Sequence, residues 1–163
     1  MQIIEYNDKY FEDATDLLVE LEEYIVSIDK DNLDQVGENY RKNILSVDLE
    51  EVNNNEGICY LAIDENDKAI GLIMGIIIKY DEDDYLDYKC PKSGRITELI
   101  VTNKVRANGV GKMLIDKMEE YFKKKNCKYI HIDVFGYNDN AIKFYSKKNY
   151  HTRMLDMIKK INN

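Results

Sequence analysis

ITELIVTNKVRANGVGK, residues 96–112, sets the architecture of this chain. Ile96 to Val101 is an apolar run of strand length, interrupted by one carboxylate, Glu98, and it extends back to Arg95. Arg106-Ala107-Asn108-Gly109-Val110-Gly111 then opens a helix over residues 110–125, with Val110, Met113, Leu114, Met118, Tyr121 and Phe122 on one side. A strand that turns through glycines into a helix start gathers backbone N–H groups at the positive end of the helix dipole. The glycines let a ligand come close, so the junction predicts an anion cradle.

Two common phosphate loops do not fit these residues. A Walker A loop needs glycine five residues before Gly111, where Arg106 stands, and Ser or Thr after Lys112, where Met113 stands. The dinucleotide fingerprint needs a third small residue where Leu114 sits, and a first strand near the N-terminus.

The flanking sequence predicts alternating elements. Ile3 and Ile4 suggest a short strand. Asn7 or Asp8 can cap a helix with Phe11, Ala14, Leu18, Leu21, Ile25 and Ile28 on its apolar face. A weaker helix is predicted over residues 35–45, then a loop at 53–57. The runs Ile58–Ile63 and Ala69–Lys79 read as a hairpin, whose second strand is apolar on both faces and therefore central. Beyond the helix at 110–125, residues 129–135 read as a strand, 138–148 as a short helix and 153–161, by position, as a last strand. With no internal repeat or linker, the chain reads as one α/β or α+β domain, residues 1–163.

A second motif follows the strand at 129–135: Asn138-Asp139-Asn140-Ala141-Ile142-Lys143-Phe144-Tyr145, then Asn149-Tyr150. With the (Arg/Gln)-x-x-Gly-x-(Gly/Ala) element at 106–111, it closely resembles the GNAT family of N-acetyltransferases and its NxxAxxFYxxxGF pattern. Asn149 replaces the usual glycine and Tyr150 the usual phenylalanine. Asn tolerates the left-handed backbone and Tyr keeps the ring. The resemblance is specific over residues 95–150 and only topological over 1–90.

It implies a mixed α/β fold with a central sheet splayed between its middle strands and flanked by helices. The acetyl-CoA-binding core would lie in residues 95–150 and the acceptor side mainly in 1–94. The backbone of Leu99, Ile100 and Val101 would hold the pantetheine arm. Arg106, Ala107, Asn108, Gly109, Val110, Gly111 and Lys112 would hold the pyrophosphate, and Asn138 would meet the pantetheine or phosphate region or cap its helix. Tyr145 matches the tyrosine that protonates the departing thiolate, a phenol near pKa 10 being suited to that task. An ammonium must lose a proton before it attacks the thioester directly. Glu98 is the first candidate base and Asp133 the second, with His131 on the same side of its strand as Asp133.

Composition narrows the partners. The net charge of -8 argues against nucleic acid, but residues 1–91 carry 7 Lys+Arg against 24 Asp+Glu, and residues 92–163 carry 16 against 7. A basic half suits polyanionic CoA, and an acidic half suits a small cationic amine. The carboxylates of Asp81 to Asp87, set among Tyr80, Tyr85 and Tyr88, could face such an amine or form a solvated loop. Cys59, Cys90 and Cys127 lack metal-ligand or CxxC spacing, so no metal is expected. No apolar run approaches a membrane span and no signal-peptide pattern opens the chain, so a cytoplasmic protein away from membranes is expected. A protein N-terminus or lysine is the alternative acceptor, and a non-catalytic acyl-CoA-binding module the alternative function. A homodimer would be in keeping with the family.

Overall fold

The structure is a computed structural model, and it describes residues 1–105 and 108–161. Two compact units divide the chain, Met1–Asp133 and Val134–Asn163.

The first unit is built on five strands: β1 (Gln2–Glu5), β2 (Ile58–Ile63), β3 (Ala69–Ile77), β4 (Ser93–Val101) and β5 (Tyr129–Ile132). They lie side by side in sequence order, antiparallel from β1 to β4, with β5 added parallel to β4. β3 is the middle strand and is buried from Gly71 to Ile77, as its unbroken apolar run demands. The β4–β5 ladder covers only Ser93–Ile96 against Tyr129–Ile132. From Thr97 onward β4 has no pairing with β5, which ends at Ile132.

Helices α1 (Phe11–Ile28) and α2 (Tyr40–Asn54) cover one face of the sheet. Ala14, Leu17 and Leu18 from the first, with Tyr10 just before it, and Leu45 and Val52 from the second, join Cys59, Leu61, Ile63, Leu72, Met74, Ile76 and Ile100 in one core. Helix α1 follows a 3-10 turn capped by Asn7, whose side chain accepts from the Lys9 N–H. Phe11, expected on the apolar face, is exposed.

The second helix lies further along the chain than the predicted 35–45. Gly37 and the polar residues around it form the connector instead. Asp29 folds that connector by accepting from the N–H groups of Asp31 and Asp34, at 2.8 and 3.0 Å, and from that of Leu33 at 2.5 Å.

Helix α3 (Val110–Lys124) covers the other face with Val110, Leu114, Ile115, Met118 and Phe122 buried. It lies so close to the sheet that a Cβ on Gly94 would sit 2.4 Å from the Phe122 ring, and one on Gly75 2.7 Å from Met118 Sδ.

The second unit carries α4 (Asp139–Lys147) and then residues 151–161, which form neither helix nor strand. The last strand expected at 153–161 is therefore not present. Apolar residues at 154, 155, 157, 158 and 161 do not alternate, so no face is defined that would fix a register against a neighbour. Among the described residues no helix is long and apolar enough to cross a membrane.

Candidate active site

Glu98 reaches its place through a β-bulge. Met74 pairs with Glu98 and Gly75 with Ile96, so Thr97 is the extra residue on β4. A Cβ on Gly75 would meet Met118 and Phe122 of α3, so Ile96 opposite it faces α3. Regular alternation would send Glu98 the same way. The bulge turns Glu98 to the face of Met74 instead, under α1 and α2. There burial, then the charges of Asp48, Glu22 and Glu51, push its carboxyl up to about 8. All of those neighbours are acids.

Helix α2 brings Asp48 toward the sheet in the stripe Leu45, Asp48, Val52, spaced three and four residues apart. Its Oδ2 is fully buried with no hydrogen-bond partner among the described residues. Burial, then Glu51, raises this carboxyl to about 6. Helix α1 adds Glu22, raised by burial and by Asp34, with hydrogen bonding to Tyr40 acting the other way. The Tyr40 phenol is itself pushed up by burial and by Glu22, Glu98 and Asp48. Tyr40 also lines a shallow cleft with Gly37, Asn39, Asn43, Ile44 and Val47.

Sequence reasoning named Glu98 but not Glu22, Tyr40 or Asp48; Asp48 was missed because the predicted second helix stopped at Leu45, and Glu22 and Tyr40 because only the packing of α1 and α2 on the sheet brings them near Glu98. The Leu45–Asp48–Val52 spacing is the signal that could have found Asp48.

Of the residues expected to form an anion cradle, Gly109 is the N-cap of α3, with φ of +79°. Glycine brings no side-chain acceptor to the first turn, so the opening N–H groups of α3 have no side-chain cap. A Cβ at Gly109 would meet nothing within 4 Å, so the space beside this backbone is open. Val110 is buried, so it can contribute only backbone, and the Lys112 ammonium pairs with Asp116 at 2.7 Å. The turn before the cradle is tied to α1, since the Asn103 N–H donates to Glu20 Oε1 at 2.7 Å. Leu99, Ile100 and Val101 lie opposite Ile73, Leu72 and Gly71, on the part of β4 that has no pairing with β5. Arg106 and Ala107, the other residues of the expected loop, lie outside the described residues.

In the second unit Asn138 is the N-cap of α4, its side chain accepting from the Ala141 N–H at 3.1 Å. The capping role foreseen for it is thus present. Tyr145 is buried, with ring contacts to Phe144 at 5.2 Å and Tyr150 at 5.7 Å. Asn149 has φ of +67°. The Tyr150 N–H donates to the Tyr145 carbonyl and the Asn149 N–H to that of Ser146. This is a Schellman ending with its accompanying ring contact, so Asn149 and Tyr150 do locally what the family's glycine and phenylalanine would do.

Asp133, the second candidate base, lies on the surface with its side chain 85% exposed and ion-paired to Arg95. His131 is opposite Arg95 in the β4–β5 ladder. The acidic loop is knit to itself: Asp81 accepts from the N–H groups of Asp83 and Asp84, and Asp84 from that of Asp81. The three cysteines are free thiols, Cys59 buried and the others half-buried.

The model of the acetyltransferase (GNAT) family matches residues 16–150. The chain belongs to the GNAT family. GNAT proteins use acetyl-CoA. Among curated protein sequences nothing matches this chain. Solved structures repeat the fold. A tetramutant of the BH1408 protein from Bacillus halodurans superimposes with a TM-score of 0.85 at 17% identity, covering 99% of this chain and 100% of that one. A GNAT acetyltransferase from Staphylococcus aureus Mu50 gives 0.68 at 22%, covering 99% and 94%. An aminoglycoside N-acetyltransferase in complex with CoA gives 0.67 at 17%, covering 98% and 100%.

Proposed function

We propose that this GNAT protein is an acetyl-CoA-dependent N-acetyltransferase that acetylates a primary amine on a small cationic acceptor. The observation that carries the reading is Glu98, half-buried and turned by the bulge to the α1/α2 face, where Asp48, Glu22 and Glu51 act on its charge. Such a group takes a proton from an ammonium readily, and the surrounding carboxylates attract the cation that brings it. The aminoglycoside enzyme among the structural relatives also takes an amine-bearing acceptor, in keeping with this reading.

The first backbone N–H groups of α3, from Val110 to Lys112, would bind the pyrophosphate of acetyl-CoA with the help of the helix dipole, beside Asn108 and Gly109. By family resemblance Arg106 and Ala107 complete that loop, and Leu99, Ile100 and Val101 orient the pantetheine arm. Bound acetyl-CoA supplies the activated acyl group. Glu98 accepts the proton that the ammonium must lose, and the Tyr145 phenol donates one to the leaving sulfur. Asn138 caps the helix that carries Tyr145.

The test is thiol release from acetyl-CoA near pH 8, where Glu98 is about half ionised, across aminoglycosides, polyamines, amino acids and peptide N-termini, with mass detection of product. Turnover with small cationic amines is expected. Turnover confined to peptides would move the acceptor to protein N-termini or lysines. Tight acetyl-CoA binding without turnover would leave a non-catalytic acyl-CoA-binding module.

A further inference from the structure

Helix α1 is tied to the end of β4 by one side chain. The Glu20 carboxylate accepts from the Asn103 N–H at 2.7 Å, although 83 residues separate the two in sequence. Glu20 stands on a firmly seated part of α1, since Leu17 and Leu18 are buried in the core and Leu21 packs against it. The receiving backbone has no such anchor. Asn103 opens a 3-10 turn, Asn103–Val105, in which no residue is buried, so hydrogen bonds rather than packing hold it. The Thr102 N–H, just before the turn, donates to the Ile70 carbonyl of β3 at 3.0 Å, and the Val105 N–H closes the turn on the Thr102 carbonyl at 3.2 Å. The bond to Glu20 is the shortest of these three, and its carboxylate acceptor makes it charge-assisted.

The turn lies between the two stretches assigned to the cofactor. Before it comes Val101, the last of the three β4 residues expected to hold the pantetheine arm, and after it Gly109 opens α3, whose first N–H groups are expected to meet the pyrophosphate. An added negative charge does nothing to attract a polyanion, so electrostatics give no reason for a carboxylate here. Its acceptor oxygen does give one: fixing Asn103 fixes where β4 ends and the direction in which the chain leaves it.

We infer that Glu20 is a positioning residue for acetyl-CoA, which acts through the Asn103 backbone to hold the end of β4 and the turn beyond it in the binding geometry before the ligand arrives. The inference rests on the acetyl-CoA-dependent reading above. Glu20 itself touches neither the ligand nor a transferring proton. Without its bond, acetyl-CoA must order the turn as it binds, and that entropy is lost from the affinity.

The experiment is calorimetric titration with CoA of wild type, Glu20→Ala and Glu20→Gln, with folding checked by circular dichroism. Glu20→Ala removes the acceptor and should raise the Kd for CoA about tenfold. Glu20→Gln keeps an acceptor oxygen at the same reach without the charge, and should stay within about threefold of wild type. Glu20→Asp keeps the charge but shortens the reach; it should weaken binding as the alanine does, and replaces it if that variant does not fold. With an acceptor found by the amine panel, the KM for acetyl-CoA should rise in step with the Kd, while kcat at saturating acetyl-CoA and the KM for the amine keep their wild-type values. A Kd that is unchanged in Glu20→Ala overturns the inference, even where the melting temperature falls, because a merely structural tie lowers stability without moving affinity. A glutamine variant as weak as the alanine also overturns it, since the hydrogen bond would then not be what matters. Failure of wild type to bind CoA removes the acetyl-CoA reading itself, which is a different result.

Discussion

In the proposed reaction Glu98 accepts a proton and Tyr145 donates one, and the two residues differ in how far sequence alone specifies them. Tyr145 stands among thirteen tyrosines and is singled out by its motif. Its ring is held by Phe144 and Tyr150, contacts that a phenylalanine would keep. Tyr145→Phe should therefore cost about 10²-fold in kcat while keeping the ring contacts; an unchanged kcat would remove Tyr145 as the acid. For Glu98 the identity was legible but the surroundings were not, since Asp48 and Glu22 come from helices that approach from elsewhere in the chain. Those surroundings also carry a stability signature. Because the folded-state value, about 8, lies above the ordinary 4.5, the folded protein holds this proton more tightly than the unfolded chain does. Stability from this group is complete below the unfolded value and is lost as pH rises through about 8. Melting temperatures measured from pH 5 to 9 should fall more steeply for wild type than for Glu98→Gln; parallel curves would show that Glu98 is not raised.

At the scale of elements, sequence was most informative where one residue type is demanded by backbone geometry. Gly109 at the start of α3 and Asn149 after α4 both have left-handed φ, and both stood out in the motifs. Asn149→Ala should destabilise by about 1 kcal/mol, because a Cβ without a compensating polar side chain is disfavoured there. Thermal unfolding followed by circular dichroism measures this, and a variant as stable as wild type would contradict the Schellman geometry. Sequence was least informative where an element depends on its neighbours. A bulge exists only in the pairing of two strands, so nothing in Ile96-Thr97-Glu98 alone announces that Glu98 changes face. Helix α2 has only Leu45 and Val52 buried in fifteen residues, too sparse a stripe to fix its limits. The expected strand at 153–161 failed for the related reason that apolar content without alternation selects no partner.

At the scale of the molecule, the sheet separates the two tasks proposed for this chain. Helix α3 and its cradle lie against one face, and the acidic layer under α1 and α2 lies against the other, within the first unit. The sheet can serve both because its α3 face is thinned by glycines. Gly94→Ala would bring a Cβ to 2.4 Å from Phe122 and should destabilise by about 1–3 kcal/mol in urea unfolding; an unaffected midpoint would mean that α3 does not lie this close. Three of the acids in the acidic part of the sequence, Glu22 of α1 and Asp48 and Glu51 of α2, act on Glu98 on the proposed acceptor side. What joins the two tasks is the carboxylate that the bulge turns from one face to the other. The most direct measurement is the pH profile of kcat/KM for amine acetylation by wild type and Glu98→Gln. A base at this position predicts a wild-type acid limb near pH 8, and a loss of about 10²-fold or more in the variant together with that limb; a variant that keeps both the rate and the limb would contradict it.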